Sequence, residues 1–433
     1  MRRFVIFLLV ILWVSWPLTV FGEKKFNKVR NRRGTRPYFT VDENGVPWLG
    51  YYGVDDVLYV TNGKKGSQQG KISVEGVIGS SVSLDFADDE VLAFWRGKVS
   101  ASGRKYLYVN RARRDTLDFG NATAINTASD VLLPVEVLRT GNHVTVTWAD
   151  ERTKPNTFYM NRSIDGGRTF RPENMCLAPG FATSRSSLIA DRDGYSFFFF
   201  GRNEANKETG IFCRSSSDGW NWGGITKVAS VKDWAPFDVR ALVAGNGPVV
   251  VWGGVRGLFY AYRDARGWHD GIVAPTEDMD VNRFQIARDS KGNLFLLASY
   301  KKWQQHIQRP NVFLFRSADG GITWQEPVKI NHNAFDNTSA KFPAMFVTEK
   351  DGLVVVWEDH RLIRGNIYMN YSLDGGKTWL PEDINLDDEP GRYNDFYPFI
   401  SGHDDKVQVL WPRYPDDKLY GPVDFYFKEV GIQ

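Results

Sequence analysis

Two stretches, HVTVTWADER (143–152) with TFYMNRSIDGGRTF (157–170) and LVVVWEDHR (353–361) with NIYMNYSLDGGKTW (366–379), are one unit written twice. Each opens on a run rich in Val and Trp, crosses a polar loop, and resumes in an alternating run that stops at Asp-Gly-Gly. Branched and aromatic side chains at period two fit a pleated, half-buried strand, and the glycines supply a tight turn. Six further strand pairs have the same form: 46–63, 91–112, 195–217, 248–264, 293–319 and 406–430. The period is about 50 residues, and no stretch after residue 22 sustains a helical pattern.

A repeated antiparallel unit of this length stacks either as a solenoid or as a ring. A solenoid needs polar capping units at both ends. The last unit shows only three strands, and 24–34 is expected to supply its missing outer strand, closing a ring and removing two sheet edges. The predicted fold is therefore all-β, a β-propeller of four-stranded blades, read as eight with six or seven as fallback counts. Blades stacked face to face bury both sides of the V-x-V-x-W strands, which accounts for their near-continuous apolar runs.

Composition narrows the classes around that fold. The 433 residues carry 54 Lys and Arg against 51 Asp and Glu, a net charge of +3, too balanced for a nucleic-acid partner. Residues 1–22, MRRFVIFLLVILWVSWPLTVFG, combine two Arg, a short apolar run and small residues after Pro17, the pattern of a cleaved signal peptide. The chain is expected to be secreted or periplasmic, with no membrane span once that segment is removed. Residues 23–37 read as a basic arm or closing strand, and 38–433 as a single propeller domain. Cys176 and Cys213 form no metal-type spacing, and their pairing is left open by sequence. No metal and no cofactor are expected.

Three turns, SIDGGRTF (163–170), SADGGITW (317–324) and SLDGGKTW (372–379), share S-x-D-x-G-x-T-aromatic. Asp165, Asp319 and Asp374 are placed to accept backbone N–H groups across each turn, a structural role. SSDGWNW (216–222) is a degraded copy. These strings are Asp boxes, and the mature chain resembles the sialidase superfamily of propellers, also called BNR-repeat proteins. The resemblance implies that the boxes lie on the face away from the active site.

The opposite rim then holds any chemistry. Aligning the units puts Arg36, Arg185 and Arg283 at equivalent starts of inner strands, with Arg240 nearby. Converging guanidiniums hold a carboxylate, sulfate or phosphate; the other reading is that each pairs with an acid of a neighbouring blade. On the same rim four loops, two of them W-x-D-x-R, bring Asp150, Glu151, Glu204, Glu358 and Asp359 beside Trp148, Trp357 and Trp411. Carboxylates next to aromatic platforms suit sugar binding and glycoside hydrolysis; the other reading is an internal ion pair that braces each blade.

Sialidases carry an arginine triad, an Asp acid/base and a Tyr nucleophile activated by Glu. The resemblance maps these onto Arg36, Arg185 and Arg283, onto Asp150 in WADER, and onto Tyr397 with Glu204. Two departures stand out: Leu133 occupies the place of the arginine in the family's F/Y-R-I-P string, and eight units replace the family's six. The expected function is recognition of a glycan or acidic small molecule on the Arg-rich rim, with exo-α-sialidase-type hydrolysis an open question. The alternatives are a non-catalytic scaffold for a protein partner, and a lyase or epimerase acting on acidic polysaccharide with His360 as the rim histidine.

Overall fold

The computed structural model describes residues 18–432 apart from 21, 32–36, 65–68, 73, 128–129, 233–234, 255, 275–278, 303–308, 333–337 and 415–420. Eight antiparallel sheets follow one another along the chain. Numbered as blades, they span 38–72, 77–124, 131–176, 181–230, 238–274, 279–329, 340–385 and, for blade 8, 399–432 together with N-terminal residues. Blades 1 to 7 have four strands each, in sequence order from the inside outward. The innermost strand of each blade packs on that of the next, and the last, Phe399–His403, returns to the first, Tyr38–Val41. The molecule is an eight-bladed β-propeller.

Blade 8 is closed by the other end of the chain. Lys24–Asn31 pairs antiparallel with Val423–Ile432, and Leu18–Val20 extends the same edge against Val430, Gly431 and Ile432. A third strand that would otherwise present unpaired backbone groups is thereby covered.

The second strands explain the apolar runs. Leu353–Leu362 is buried over its first seven residues, because its odd side chains meet one neighbouring blade and its even ones the other. An apolar cluster fills every gap between successive blades: Phe39, Leu49 and Tyr51 meet Leu410, Phe425 and Phe427 between blades 1 and 8, for example. The gap between blades 7 and 8 holds Val354, Val356, Met369, Val407, Val409 and Trp411. Each fully buried side chain of this size contributes about 1.5–3 kcal/mol.

Side chains stitch inner strands across several gaps. Glu136 of blade 3 accepts from the Leu188 amide (2.8 Å) and the Ser186 hydroxyl (2.9 Å) of blade 4. Ser187 accepts from the Ala241 amide of blade 5, Gln285 exchanges two bonds with the Met345 backbone, and Ser401 accepts from the Val41 amide. Cys176 and Cys213 are free thiols, the first half-buried and the second buried.

Candidate functional site

Loops between second and third strands share one end of the ring with the starts of the inner strands; the hairpins and Asp boxes occupy the other. In each Asp box the carboxylate closes its own turn. Asp165 accepts from the Ser163 and Thr169 hydroxyls (2.6 Å each) and from the Arg168 and Thr169 amides, and Asp319 and Asp374 repeat this. Partial burial pushes the Asp165 and Asp374 carboxyls up, but those donors outweigh it and hold both at about 2. Gly167 sits at a φ of +86°, where an added Cβ would also meet Leu92 of blade 2 at 2.8 Å. The boxes therefore hold turns against neighbouring blades.

The W-x-D-x-R loops are braces. Asp150 is fully buried; its Oδ2 accepts the Trp148 indole N–H (2.8 Å) and the Arg152 guanidinium (2.6 Å), and its Oδ1 accepts the Arg152 amide. The guanidinium stacks on Tyr159, 4.2 Å from the ring centre. Blade 7 repeats the arrangement with Trp357, Asp359, Arg361 and Tyr368, and Asp383 adds a second carboxylate on Arg361. The expectation of Trp148 and Trp357 as sugar platforms is corrected by their complete burial. Asp150 is withdrawn from any ligand by the same packing, so the acid/base role expected for it has no access to a substrate.

The arginines gather on one side. Arg185 and Arg283 each follow a β-bulge in their inner strands, an irregularity that re-aims the next side chain. With Arg240 they occupy blades 4, 5 and 6 in succession. Arg185 donates to the Phe237 carbonyl of blade 5 (2.6 Å), and Arg240 pairs with Asp238 (2.8 Å) while remaining half-exposed. Burial of Glu136 raises its carboxyl above its ordinary value; the Ser186 and Leu188 donors and the nearby Arg240 charge work against that rise. Arg36 lies outside the described residues. Glu204 sits on an exposed loop of blade 4, paired with Lys207 (2.9 Å).

Tyr397 starts blade 8, half a ring away from Glu204, so the expected Tyr–Glu partnership between these two does not form. A different glutamate serves it. Glu358 of blade 7 is nearly buried; its Oε2 accepts the Tyr397 amide (3.2 Å) and its Oε1 meets His360 Nε2 (2.7 Å). In the neutral tautomer that donates Nε2–H to Glu358, Nδ1 is the acceptor. Tyr397 is 46% exposed and packs edge-on against Phe342, with ring centres 4.4 Å apart. Both have positive φ, +48° and +51°, a costly conformation for aromatic residues. Phe396 joins from the same segment, stacked on Tyr414 at 4.9 Å.

Sequence reasoning missed Phe342, Phe396 and Tyr414, and placed Glu358 among the rim carboxylates without linking it to Tyr397 or His360. One signal was readable: WADER and WEDHR share the bracing Trp, Asp and Arg but differ at Ala149/Glu358 and Glu151/His360. The positions that the brace does not use are the ones carrying chemistry in blade 7.

Behind this rim lies a buried ionic cluster. Arg413 donates to both oxygens of Asp395 (2.7 and 2.8 Å), to Asp387 (2.9 Å) and to Glu23 (2.6 and 3.2 Å), between the rings of Tyr393 and Tyr426. Burial, with like charge from Asp387 and Glu23, pushes the Asp395 carboxyl up to about 7 against the pull of Arg413. Among the described residues one group of metal-ligand type, Glu349, His403 and Asp404, lies at the surface of the Asp-box end.

No protein-family model matches the chain, and no curated protein matches it in sequence. Solved structures do. An ulvan lyase, described as a new family of polysaccharide lyase, superposes with a TM-score of 0.51 at 11% identity, covering 94% of this chain and 95% of its own. The same enzyme has been solved bound to -[GlcA(1-4)Rha3S]-. A prolyl endopeptidase gives the same score and identity over 88% of this chain but 54% of its own length. The NanB sialidase from Streptococcus pneumoniae aligns over 93% and 94% of the two chains with a TM-score of only 0.37 at 9% identity. At these identities the likeness defines the propeller fold, shared by proteins of different activity.

Proposed function

We propose that this protein binds acidic glycan across the rim and cleaves it by proton abstraction, with the Glu358–His360–Tyr397 group as its reactive side. The observation that carries the reading is the double engagement of Glu358, which fixes a rim histidine with one oxygen and pins an exposed tyrosine's backbone with the other. The ring fixed by Glu358 presents an acceptor nitrogen, the arrangement a general base requires. Tyr397 offers a phenol on the same rim. Arg185, Arg240 and Arg283 supply positive charge on blades 4 to 6, where acidic groups of an extended chain would be held.

Elimination from a uronate residue needs those parts. A base removes the proton beside the carboxylate, cationic groups stabilise the charge that develops there, and an acid protonates the departing glycosidic oxygen. His360 is assigned as the base and Tyr397 as the acid. Hydrolysis by the sialidase route is less well supported, because Asp150 is buried and Glu204 stands across the ring from Tyr397. The full-length likeness to a lyase solved with a glucuronate-containing ligand favours the same choice. Secretion or a periplasmic location fits this substrate class.

The test is incubation with uronate-containing polysaccharides, reading the ultraviolet absorbance of unsaturated products, with His360→Ala and Tyr397→Phe alongside. Absorbance that rises for the native chain and is lost in both variants supports the reading. Binding without new absorbance would remove the elimination step, and absence of binding to any acidic glycan would remove the substrate class. One feature favours a second reading, a docking surface for a protein partner. The blade 7 loop ends in Leu362 and Ile363, the latter 96% exposed.

A further inference from the structure

The repeat contains an internal comparison at its Asp-box end. Between blades 2 and 3, Arg111 lies across from Leu92, donates to the Gly166 carbonyl of the neighbouring turn (3.3 Å) and pairs with Glu90. Arg168, from that turn, donates to the same Glu90 oxygen at 3.2 Å. One carboxylate thus neutralises two cations supplied by two blades.

The gap between blades 6 and 7 has the same frame. Arg316 lies across from Phe295 and reaches the Gly375 carbonyl of the next turn (3.4 Å), as Arg111 reaches Gly166. Lys377 holds the turn position of Arg168. The place of Glu90, two residues before the strand partner of the arginine, is taken by Asn293. Its amide is committed to Asp289 Oδ2 (2.6 Å). Arg316 Nε is buried without a hydrogen-bond partner, as Arg111 Nε is in the other frame, so it is the missing carboxylate that sets the two frames apart. A cleft of about 400 Å³ opens here, lined by Lys291, Arg316, Gln325, Asp351, Leu373 and Lys377 among others. Its acids are already engaged. Asp351 accepts from the Ser290 amide and hydroxyl (2.7 Å each) and lies 3.4 Å from Lys291; Asp289 holds Asn293; Asp374 closes its own turn. Of the cleft's cations Lys291 is paired, with Asp351, whereas no ion pair among the described residues engages Arg316 or Lys377.

We infer that this cleft is a second ligand site, on the face opposite the reactive rim, for a small organic carboxylate whose anionic group takes the position Glu90 fills between blades 2 and 3. The volume falls in the range of small-molecule pockets, about 300–1,000 Å³. Arg316 gives the planar guanidinium that suits a carboxylate, and Lys377 a second charge from the facing turn.

The experiment is calorimetric titration of the full chain with glucuronate. Arg316→Gln and Lys377→Gln should each weaken binding by about tenfold or more, the scale of one charge-assisted hydrogen bond. Arg168→Gln, a substitution at the equivalent turn whose cation already has a carboxylate, should leave binding unchanged. Asn293→Glu combined with Asp289→Asn brings the carboxylate from within the chain and should abolish the Arg316-dependent binding without lowering the melting temperature. The inference is overturned if the native chain takes up no glucuronate, or if Arg316→Gln and Lys377→Gln bind as the native chain does. Binding that is lost instead in Arg240→Gln belongs to the rim and equally overturns it.

Discussion

The carboxylate of Glu23 and the guanidinium of Arg413 lie 2.6 Å apart although 390 residues separate them in sequence. The contact joins the residue just before the strand that closes blade 8 to the end of the blade's own second strand, and both groups are nearly buried. Arg413→Ala leaves Asp387, Asp395 and Glu23 without their shared cation, and a lost buried partner costs about 3–5 kcal/mol. Urea unfolding of that variant checks the figure. A loss below about 1 kcal/mol would mean that water replaces the guanidinium and that the cluster does not secure closure.

The same cluster sets a pH dependence. The Asp395 carboxyl is raised in the folded state to about 7 and returns to about 4 on unfolding. The folded chain therefore binds the extra proton between those values, so this group's contribution favours folding at low pH and is lost as pH rises from about 4 through about 7. Asp395→Asn should flatten this part of the melting-temperature profile. An unchanged profile would assign the slope to other groups.

The Asp boxes act with the opposite sign. Asp165 and Asp374 titrate at about 2 in the fold, below the ordinary carboxylate range. Their stabilisation is complete above about pH 4 and disappears as pH falls through about 2. Asp374→Asn should cost about 1–2 kcal/mol at neutral pH, the order of a lost capping carboxylate, and almost nothing at pH 2. Paired melts at the two pH values test this.

Braces and reactive groups should separate in mutagenesis. Asp150→Ala strands Arg152 against Tyr159 and should destabilise the fold by about 3 kcal/mol. His360→Ala should leave the melting temperature near that of the native chain while lowering glycan cleavage by about 10²–10⁴-fold. Activity surviving in His360→Ala would move the base elsewhere on the rim.

The fold was legible because its signals are local and repeated. Eight strand pairs rich in Val, Leu, Phe and Trp and three Asp boxes each specify a hairpin, and hairpins at a constant period leave few architectures. The site was legible only in part. Trp148 and Trp357 read as platforms because a string of letters does not say which way a strand faces inside a stack of blades. The choice of Glu204 for Tyr397 failed for a related reason: blades 4 and 8 stand opposite each other only once the ring is closed at eight. His360 could be named from its loop, but Phe342 and Tyr414 reach Tyr397's neighbourhood from separate segments, and only folding brings them there.

Closure has a kinetic side as well. With Lys24–Asn31 bound into blade 8, every blade is clasped by two others and none is terminal. Peeling away one blade means parting two apolar gaps together, so the ring lacks the fraying end from which a linear stack comes apart. Its lifetime under proteolysis is then set by a concerted opening of the whole hoop. A single cut in an exposed loop should leave two fragments held together as one particle, separable only in denaturant.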